Sequence, residues 1–222
     1  MTHESMAELL SPFLEGASLR SDQLGLLSSY LDLLLKWNAR INLTAVRAPE
    51  EIVARHFGES LFAARLLFPH SATVQSVLDI GSGAGFPGLL LKIWAPALDV
   101  TLVESNQRKA VFLREVVRAF GLTDVQVSSD RAEKLSIQAD LVTFRAVEHF
   151  EQILPVAHKL TMPGGRMAIL IGSSQTETAI STLGTVCWDP PIPVPLSLSR
   201  SFMVGQVMAP DKSVKTAATS NG

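Results

Sequence analysis

The stretch Val77-Leu78-Asp79-Ile80-Gly81-Ser82-Gly83-Ala84-Gly85-Phe86-Pro87-Gly88 decides how the rest of the chain is read. Apolar residues run up to Asp79 as in a buried strand. Four glycines follow within eight positions, and Pro87 introduces the apolar run Leu89-Leu90-Leu91-Lys92-Ile93-Trp94. This order predicts a strand, a glycine turn and a helix. Glycine tolerates positive φ and lets a ligand lie against the backbone, while the free N–H groups of a helix start favour an electron-rich group. The turn is therefore a candidate nucleotide-type cofactor site.

Three ligand classes use such turns. A phosphate-cradling loop needs Gly-x-x-x-x-Gly-Lys-Ser/Thr; Gly83 and Gly88 have the spacing, but Leu89-Leu90 follow, so no lysine reaches a phosphate. A dinucleotide fingerprint, Gly-x-Gly-x-x-Gly, is met by Gly83, Gly85 and Gly88, with Glu104 closing Val100-Thr101-Leu102-Val103 as a ribose ligand. That pattern alone leaves an NAD-dependent oxidoreductase open. Asp79 shifts the balance: it gives Asp-x-Gly-x-Gly-x-Gly, which resembles the first motif of Rossmann-like methyltransferases that use S-adenosylmethionine. Glu104 serves either ligand, so Asp79 discriminates more.

With 222 residues, 47% of them hydrophobic and 18% charged, the chain suits one α/β domain carrying an extra element. Its single cysteine, Cys187, excludes an internal disulfide and a cysteine-built metal site; no metal is expected. No stretch reads as a signal peptide or approaches the roughly 20 apolar residues of a membrane span, so a cytoplasmic protein is expected. The net charge of −2 excludes a global electrostatic footprint for nucleic acid. Any RNA contact has to be local, and Arg108, Lys109, Arg114 and Arg118 along one helix are candidates, with a solvated helix face as the alternative.

Residues 1–72 read as a helical extension packed on the core: Leu24, Leu27, Leu31, Leu34 and Leu35 place an amphipathic helix over 22–37, Pro49 opens a second through His56, and Leu61 to Phe68 supply a third. Residues 73–208 alternate strands and helices, with strands expected at 100–104, 124–127, 139–144, 166–171 and 200–208 and helices at 107–120 and 149–160. This predicts a mostly parallel, doubly wound sheet. Arg145 stands at the carboxyl end of its strand, the edge where open α/β sheets bind ligands, and the polar turn Ser128–Glu133 offers a place for adenine. Residues 209–222 lack apolar anchors and read as a disordered tail.

Over about residues 24–208 the chain resembles the RsmG (GidB) family of small-subunit ribosomal RNA guanine-N7 methyltransferases. The resemblance rests on Lys36-Trp37-Asn38 with Asn42-Leu43-Thr44, Arg55-His56 followed by Ser60, the Asp79–Gly88 stretch with its Phe-Pro-Gly ending, Arg108-Lys109 with Phe112-Leu113, Ala132-Glu133, Arg145-Ala146, and Arg200. It implies a Rossmann-like class I methyltransferase fold, S-adenosylmethionine as cofactor with contacts at Gly81, Phe86, Ala132, Glu133 and Arg145, and small-subunit (16S) ribosomal RNA or the assembled small subunit as partner. It also makes Arg55 and His56 candidates for phosphate or substrate contacts, and Arg200, in the last strand, a further candidate. Two positions depart from the family pattern: Glu59 stands where aspartate is usual, and Ile171 where a lysine is usual before the glycine. The second leaves a member that binds cofactor or RNA without turnover as the alternative reading.

The residues suit the implied chemistry. Guanine N7 has a free lone pair, so no proton has to leave before attack, and an alignment mechanism without a general base suffices; no catalytic acid–base residue is assigned. The chain has Phe144-Arg145-Ala146-Val147 where an exocyclic-amine methyltransferase would carry Asn/Asp-Pro-Pro-aromatic, and no Pro-Cys nucleophile for carbon methylation. The expected roles are Gly81, Gly83 and Gly85 against the cofactor, Glu104 on the ribose, Phe86 and Ala132 as apolar walls, Glu133 near the adenosine, and Arg145 on the methionine carboxylate or the target nucleotide.

Overall fold

A computed structural model describes residues 1–69 and 75–209; the expected tail therefore lies, beyond Ala209, outside the described residues. Helix α1 (His3–Leu14) is capped by the Thr2 side chain, which accepts from the Ser5 amide, and buries Met6, Leu10, Phe13 and Leu14. Helix α2 (Ser21–Ile41) buries Leu27, Tyr30, Leu31 and Leu34, as the leucine spacing predicts, but runs past Trp37 until Asn42 adopts the left-handed cap conformation, φ 51°. Asn38 stays helical because its amide is used tertiarily, donating to the Val46 carbonyl and accepting from the Thr44 amide.

The two helices expected from Pro49 and from Leu61 are one continuous element: α3 (Pro49–Ile52) passes through a π-turn, Val53–Gly58, into α4 (Glu59–Leu67). The π-turn sits against α1, and only a glycine fits at 58, since a Cβ there would lie 2.4 Å from the Phe13 ring. The extra residue in this turn leaves His56 buried and Arg55 exposed.

The remaining chain supplies β1 (Ser76–Ile80), α5 (Gly88–Trp94), β2 (Asp99–Val103), α6 (Gln107–Ala119), β3 (Val125–Ser128), β4 (Ala139–Arg145), α7 (Phe150–Leu160), β5 (Thr161–Gly172), α8 (Thr176–Thr182), β6 (Val186–Trp188), β7 (Ile192–Pro193) and β8 (Arg200–Val207). Helix α8 and strand β6 escaped the sequence reading because each is short, and α8 buries only Ala179. Strand β5 starts earlier than 166: Thr161 pairs with Ala139, the Pro163-Gly164-Gly165 segment bulges out, and pairing resumes at Arg166 with Leu141.

The sheet order is β3-β2-β1-β4-β5-β8-β6, with β1 to β5 parallel, β8 antiparallel to β5, and β7 paired to β8. Alternation along each strand divides the apolar residues between two faces. Val77, Val100, Leu102, Leu141, Leu170 and Phe202 join the cluster of α1, α2, α4, α5 and α6; Leu78, Val103, Val142, Phe144, Ile169 and Met203 join that of α7 and α8. The N-terminal helices thus share one core with the sheet. The strand order reverses between β1 and β4, and the crevice of such a reversal opens at the carboxyl ends of the strands. Among the described residues no helix is long and apolar enough to cross a membrane, and no cluster of three or more His, Cys, Asp or Glu could hold a metal.

Candidate active site

A cavity of about 530 Å³ opens at that reversal, within the range of small-molecule sites. Its floor is Gly81 and Gly83; its walls come from Val103–Asn106 after β2, Lys109 on α6, Asp130–Glu133 after β3, Ala146–His149 after β4, and Ile153 on α7. Gly83 has φ +59° and nothing near the place of a Cβ except a carbonyl 3.8 Å away, so a ligand can approach its backbone closely.

The Glu104 carboxylate lies across this floor. Its Oε2 accepts from the Gly83 amide at 2.9 Å and its Oε1 from the Asn106 amide at 2.7 Å, so both oxygens are held in place with a lone pair each remaining. Two preset acceptors side by side suit a vicinal diol. Asn106 in turn caps α6, its side chain accepting from the Arg108 and Lys109 amides. Lys109 reaches the cavity while Arg108, Arg114 and Arg118 stand exposed on the outer surface of α6. Ala132, almost fully buried, supplies an apolar wall next to exposed Glu133.

Asp79 lies beneath this floor rather than in it. It is fully buried; its Oδ2 accepts from the Gly88 amide at 3.1 Å and its Oδ1 has no partner. Burial pushes its carboxyl up to about 7, against the opposing hydrogen bonds. The start of α5 is correspondingly not the free anion site that the sequence suggests: Gly88 donates to Asp79, Leu89 to the Gly85 carbonyl and Leu90 to the Pro87 carbonyl. Gly85 faces away from the cavity, towards Leu89 and the Tyr30 hydroxyl, which donates to the Ala84 carbonyl.

Arg145, Phe86, His56 and Arg200 form a second constellation behind the cavity, against the N-terminal helices. The Arg145 guanidinium donates to Glu59 Oε2 at 3.1 Å, to the Arg55 carbonyl at 3.0 Å and to His56 Nδ1 at 2.6 Å, and lies 5.3 Å over the Phe86 ring. His56 stacks on Phe86 at 5.1 Å, and its Nε2 lies 2.7 Å from the Thr44 hydroxyl. Accepting from an arginine at Nδ1 requires the neutral ring, and burial together with Arg145, Arg55 and Arg200 drives its pKa down to about 2. Arg200 donates to the same Glu59 oxygen at 2.5 Å. Burial lowers the Arg145 pKa to about 10, still fully cationic near neutrality. The ion-pair partner of Arg145 is Glu59.

The candidates thus separate into three groups. Gly81, Gly83, Glu104, Lys109, Ala132 and Glu133 meet at the cavity; Asp79 and Gly85 support it from below; Phe86, His56, Arg145 and Arg200 tie β4 and β8 to the helices. Arg55 is exposed at the rim of that network and pairs with Glu51 at 3.4 Å. The turn Ser128–Glu133, expected to take adenine, does line the cavity through Asp130 to Glu133; sequence reasoning missed Ser105, Asn106 and the stretch from Val147 to His149. The segment's signal is conformational, with Ala146 at φ 47° and His149 at φ 56°, and composition does not carry it. Ile171 is buried in the α7–α8 cluster.

Comparison with known proteins agrees with this geometry. A family model described as "GidB: rRNA small subunit methyltransferase G" matches residues 23–185. Ribosomal RNA small subunit methyltransferase G of Xylella fastidiosa (strain M23) is 44% identical over 153 residues, 68% of this chain and 70% of the relative. That of Chloroflexus aggregans is 37% identical over 211 residues, 89% of this chain and 87% of the relative. Among solved structures, a SAM-dependent methyltransferase from Aquifex aeolicus has a TM-score of 0.57 at 15% identity, covering 72% of this chain and 94% of its own. The ribosomal protein L11 methylase from Lactobacillus delbrueckii subsp. bulgaricus has a TM-score of 0.57 at 12% identity over 69% of this chain and 79% of its own. At such identities these two establish the fold: a Rossmann-like class I methyltransferase sheet.

Proposed function

The chain belongs to the rRNA small subunit methyltransferase G (GidB) family, and on that premise we propose that it transfers a methyl group from S-adenosylmethionine to N7 of a guanine in small-subunit (16S) ribosomal RNA. The observation that carries the reading is the Glu104 carboxylate, held by two backbone amides across a glycine floor at the strand-order reversal.

The residues present fit S-adenosylmethionine. Glu104 accepts from the ribose hydroxyls; Ala132 and Val103 supply apolar walls and Glu133 a polar edge for the adenosine; Gly81 and Gly83 let the chain of the ligand lie on the backbone. The cavity carries four carboxylates (Glu104, Asp130, Glu133, Glu148) against two cations (Lys109, Arg131), a balance that favours a ligand bearing a sulfonium and an ammonium. Bound there, the sulfonium supplies the activated methyl. The protein's task is to align the purine nitrogen with it and exclude water, since N7 needs no deprotonation.

Arg145 and His56 act indirectly in this reading. With Glu59 they lock the carboxyl end of β4 to the π-turn and so set the wall from Ala146 to His149. Two arginines on one carboxylate leave a positive excess that emerges at the partly exposed Arg200, and an RNA phosphate supplies the missing counter-charge. Arg108 and Lys109 offer a second local basic patch, as a chain of net charge −2 requires.

The test is transfer of labelled methyl to small subunits lacking the modification, with naked ribosomal RNA alongside and the modified base identified afterwards. Label on guanine N7 is expected. Bound cofactor without label would favour the reading that Ile171 motivates, a member that binds without turnover; family membership sets the NAD reading aside.

A further inference from the structure

A second cavity of about 340 Å³ lies beside the first, between the start of α7 and the start of α8, lined by His149, Phe150, Glu151, Gln152, Gln175 and Thr178. His149 lines both cavities. The segment between them is held in an unusual conformation: Ala146 and His149 both sit at positive φ without being glycine, a backbone strain that persists where the surroundings impose it.

The lining is chemically specific. Glu151 presents an exposed carboxylate, two acceptors side by side and no donor. Gln175 is oriented by its backbone contact: Oε1 accepts from the Gly172 amide at 3.0 Å, so the Nε2 end, two donors, is the one left for another partner. Phe150, nearly buried and packed edge-on against Phe144 at 6.2 Å, gives an apolar face. A carboxylate and an amide donor lining one cavity with an aromatic surface supply the groups that the Watson–Crick edge of guanine needs, with N1–H and N2–H to the carboxylate and O6 to the amide. Adenine would set its N1 lone pair against Glu151, and a pyrimidine lacks the adjacent pair of donors flanked by an acceptor. Enzymes that act on a base out of the stack read it by such edge contacts and by stacking.

We propose that this side cavity is the guanine subsite, with Glu151 and Gln175 holding the six-membered ring. The proposal rests on the methyltransferase reading above and specifies where its substrate base is bound. In guanine N7 belongs to the five-membered ring, at the opposite end of the purine from N1 and N2. With the Watson–Crick edge in the side cavity, N7 is presented at the His149 wall towards the cavity of Glu104. The same two residues that select guanine therefore also orient it for attack by N7.

The test uses the full chain in two measurements. In methyl transfer to small subunits lacking the modification, Glu151→Gln is expected to lower kcat/KM by about 10- to 150-fold, the loss of hydrogen bonding to a charged group, and Gln175→Ala by about 2- to 13-fold, the loss of a neutral hydrogen bond, while S-adenosylmethionine binds each variant with wild-type affinity. In the second, guanosine 5′-monophosphate and inosine 5′-monophosphate, which lacks the N2 amino group, are titrated by protein-observed NMR into the chain saturated with S-adenosylhomocysteine. The guanine nucleotide is expected to bind more tightly, and Glu151→Gln to erase the difference. Wild-type kcat/KM in both variants, or a guanine preference that survives Glu151→Gln, would overturn the subsite. A wild-type protein that discriminates the nucleotides yet methylates no ribosomal RNA would overturn the function proposed above while upholding the subsite.

Discussion

Replacing Glu59 by glutamine should cost more stability than any other single isosteric change in the chain's polar residues. Glu59 is 4% exposed, and its Oε2 receives both Arg145 and Arg200. The Arg145 pair is closed at both ends, with side chains 9% and 5% exposed, so removing the anion leaves a cation without its counter-charge, about 3–5 kcal/mol. The Arg200 pair adds less, because that side chain is 24% exposed and water compensates part of its loss. For a chain of this length, about 2–4 °C per kcal/mol converts the Arg145 loss into a Tm lowered by roughly 6–20 °C. Urea unfolding of wild type and Glu59→Gln, followed by circular dichroism at neutral pH, should show the lower midpoint with an unchanged slope. Glu59→Asp, which keeps the charge and shortens the reach by one methylene, should lose much less. A Glu59→Gln loss below about 1 kcal/mol would refute the claim that this carboxylate neutralises a buried cation.

Two buried groups should give opposing pH dependences. His56 refuses a proton in the fold until about pH 2 while the unfolded chain takes one near 6.5, so its contribution is present above 6.5 and is lost progressively as the pH falls towards 2. Asp79, raised to about 7 from 3.8, contributes fully below 3.8 and loses that contribution as the pH rises through 7. Each slope reaches about 1.4 kcal/mol per pH unit between pH 4 and 6.5, and in the wild type they offset. His56→Gln should therefore show stability falling with rising pH, and Asp79→Asn stability rising with it; equal slopes in both variants, measured by chemical denaturation across that range, would contradict the assignment. Glu104→Ala should weaken S-adenosylmethionine binding by about 5- to 150-fold in calorimetric titration. Gly88→Ala would set a Cβ 2.5 Å from a Leu102 methyl and 2.7 Å from Asp79 Oδ2, and should cost about 1–3 kcal/mol in thermal unfolding.

Much of the fold was legible because its signals are local. The apolar run into Asp79, the glycine turn, the Gly121 stop after α6 and the alternating strands specify a parallel α/β sheet through backbone propensity and pattern alone. Short elements with little to bury, such as α8 and β6, leave no such trace. The π-turn is equally silent, since nothing in Val53–Gly58 reveals that Phe13, some 45 residues earlier, occupies the space over Gly58.

The site divides along the same line. The sequence by itself determined the cavity floor and Glu104, because a glycine turn after one strand and an acid at the end of the next are brought together by any parallel βαβ unit. Only the tertiary structure decided what Asp79, His56 and Arg145 do. Their types suggested ligands, but burial strips water from a polar side chain and obliges it to find a protein partner. Those partners, Gly88, Thr44 and Glu59, lie on turns and helices whose positions depend on packing across the sheet face. The side cavity is the extreme case: Glu151, in the first turn of α7, and Gln175, just before α8, are 24 residues apart, and only the packing of α7 against α8 brings them to one cavity.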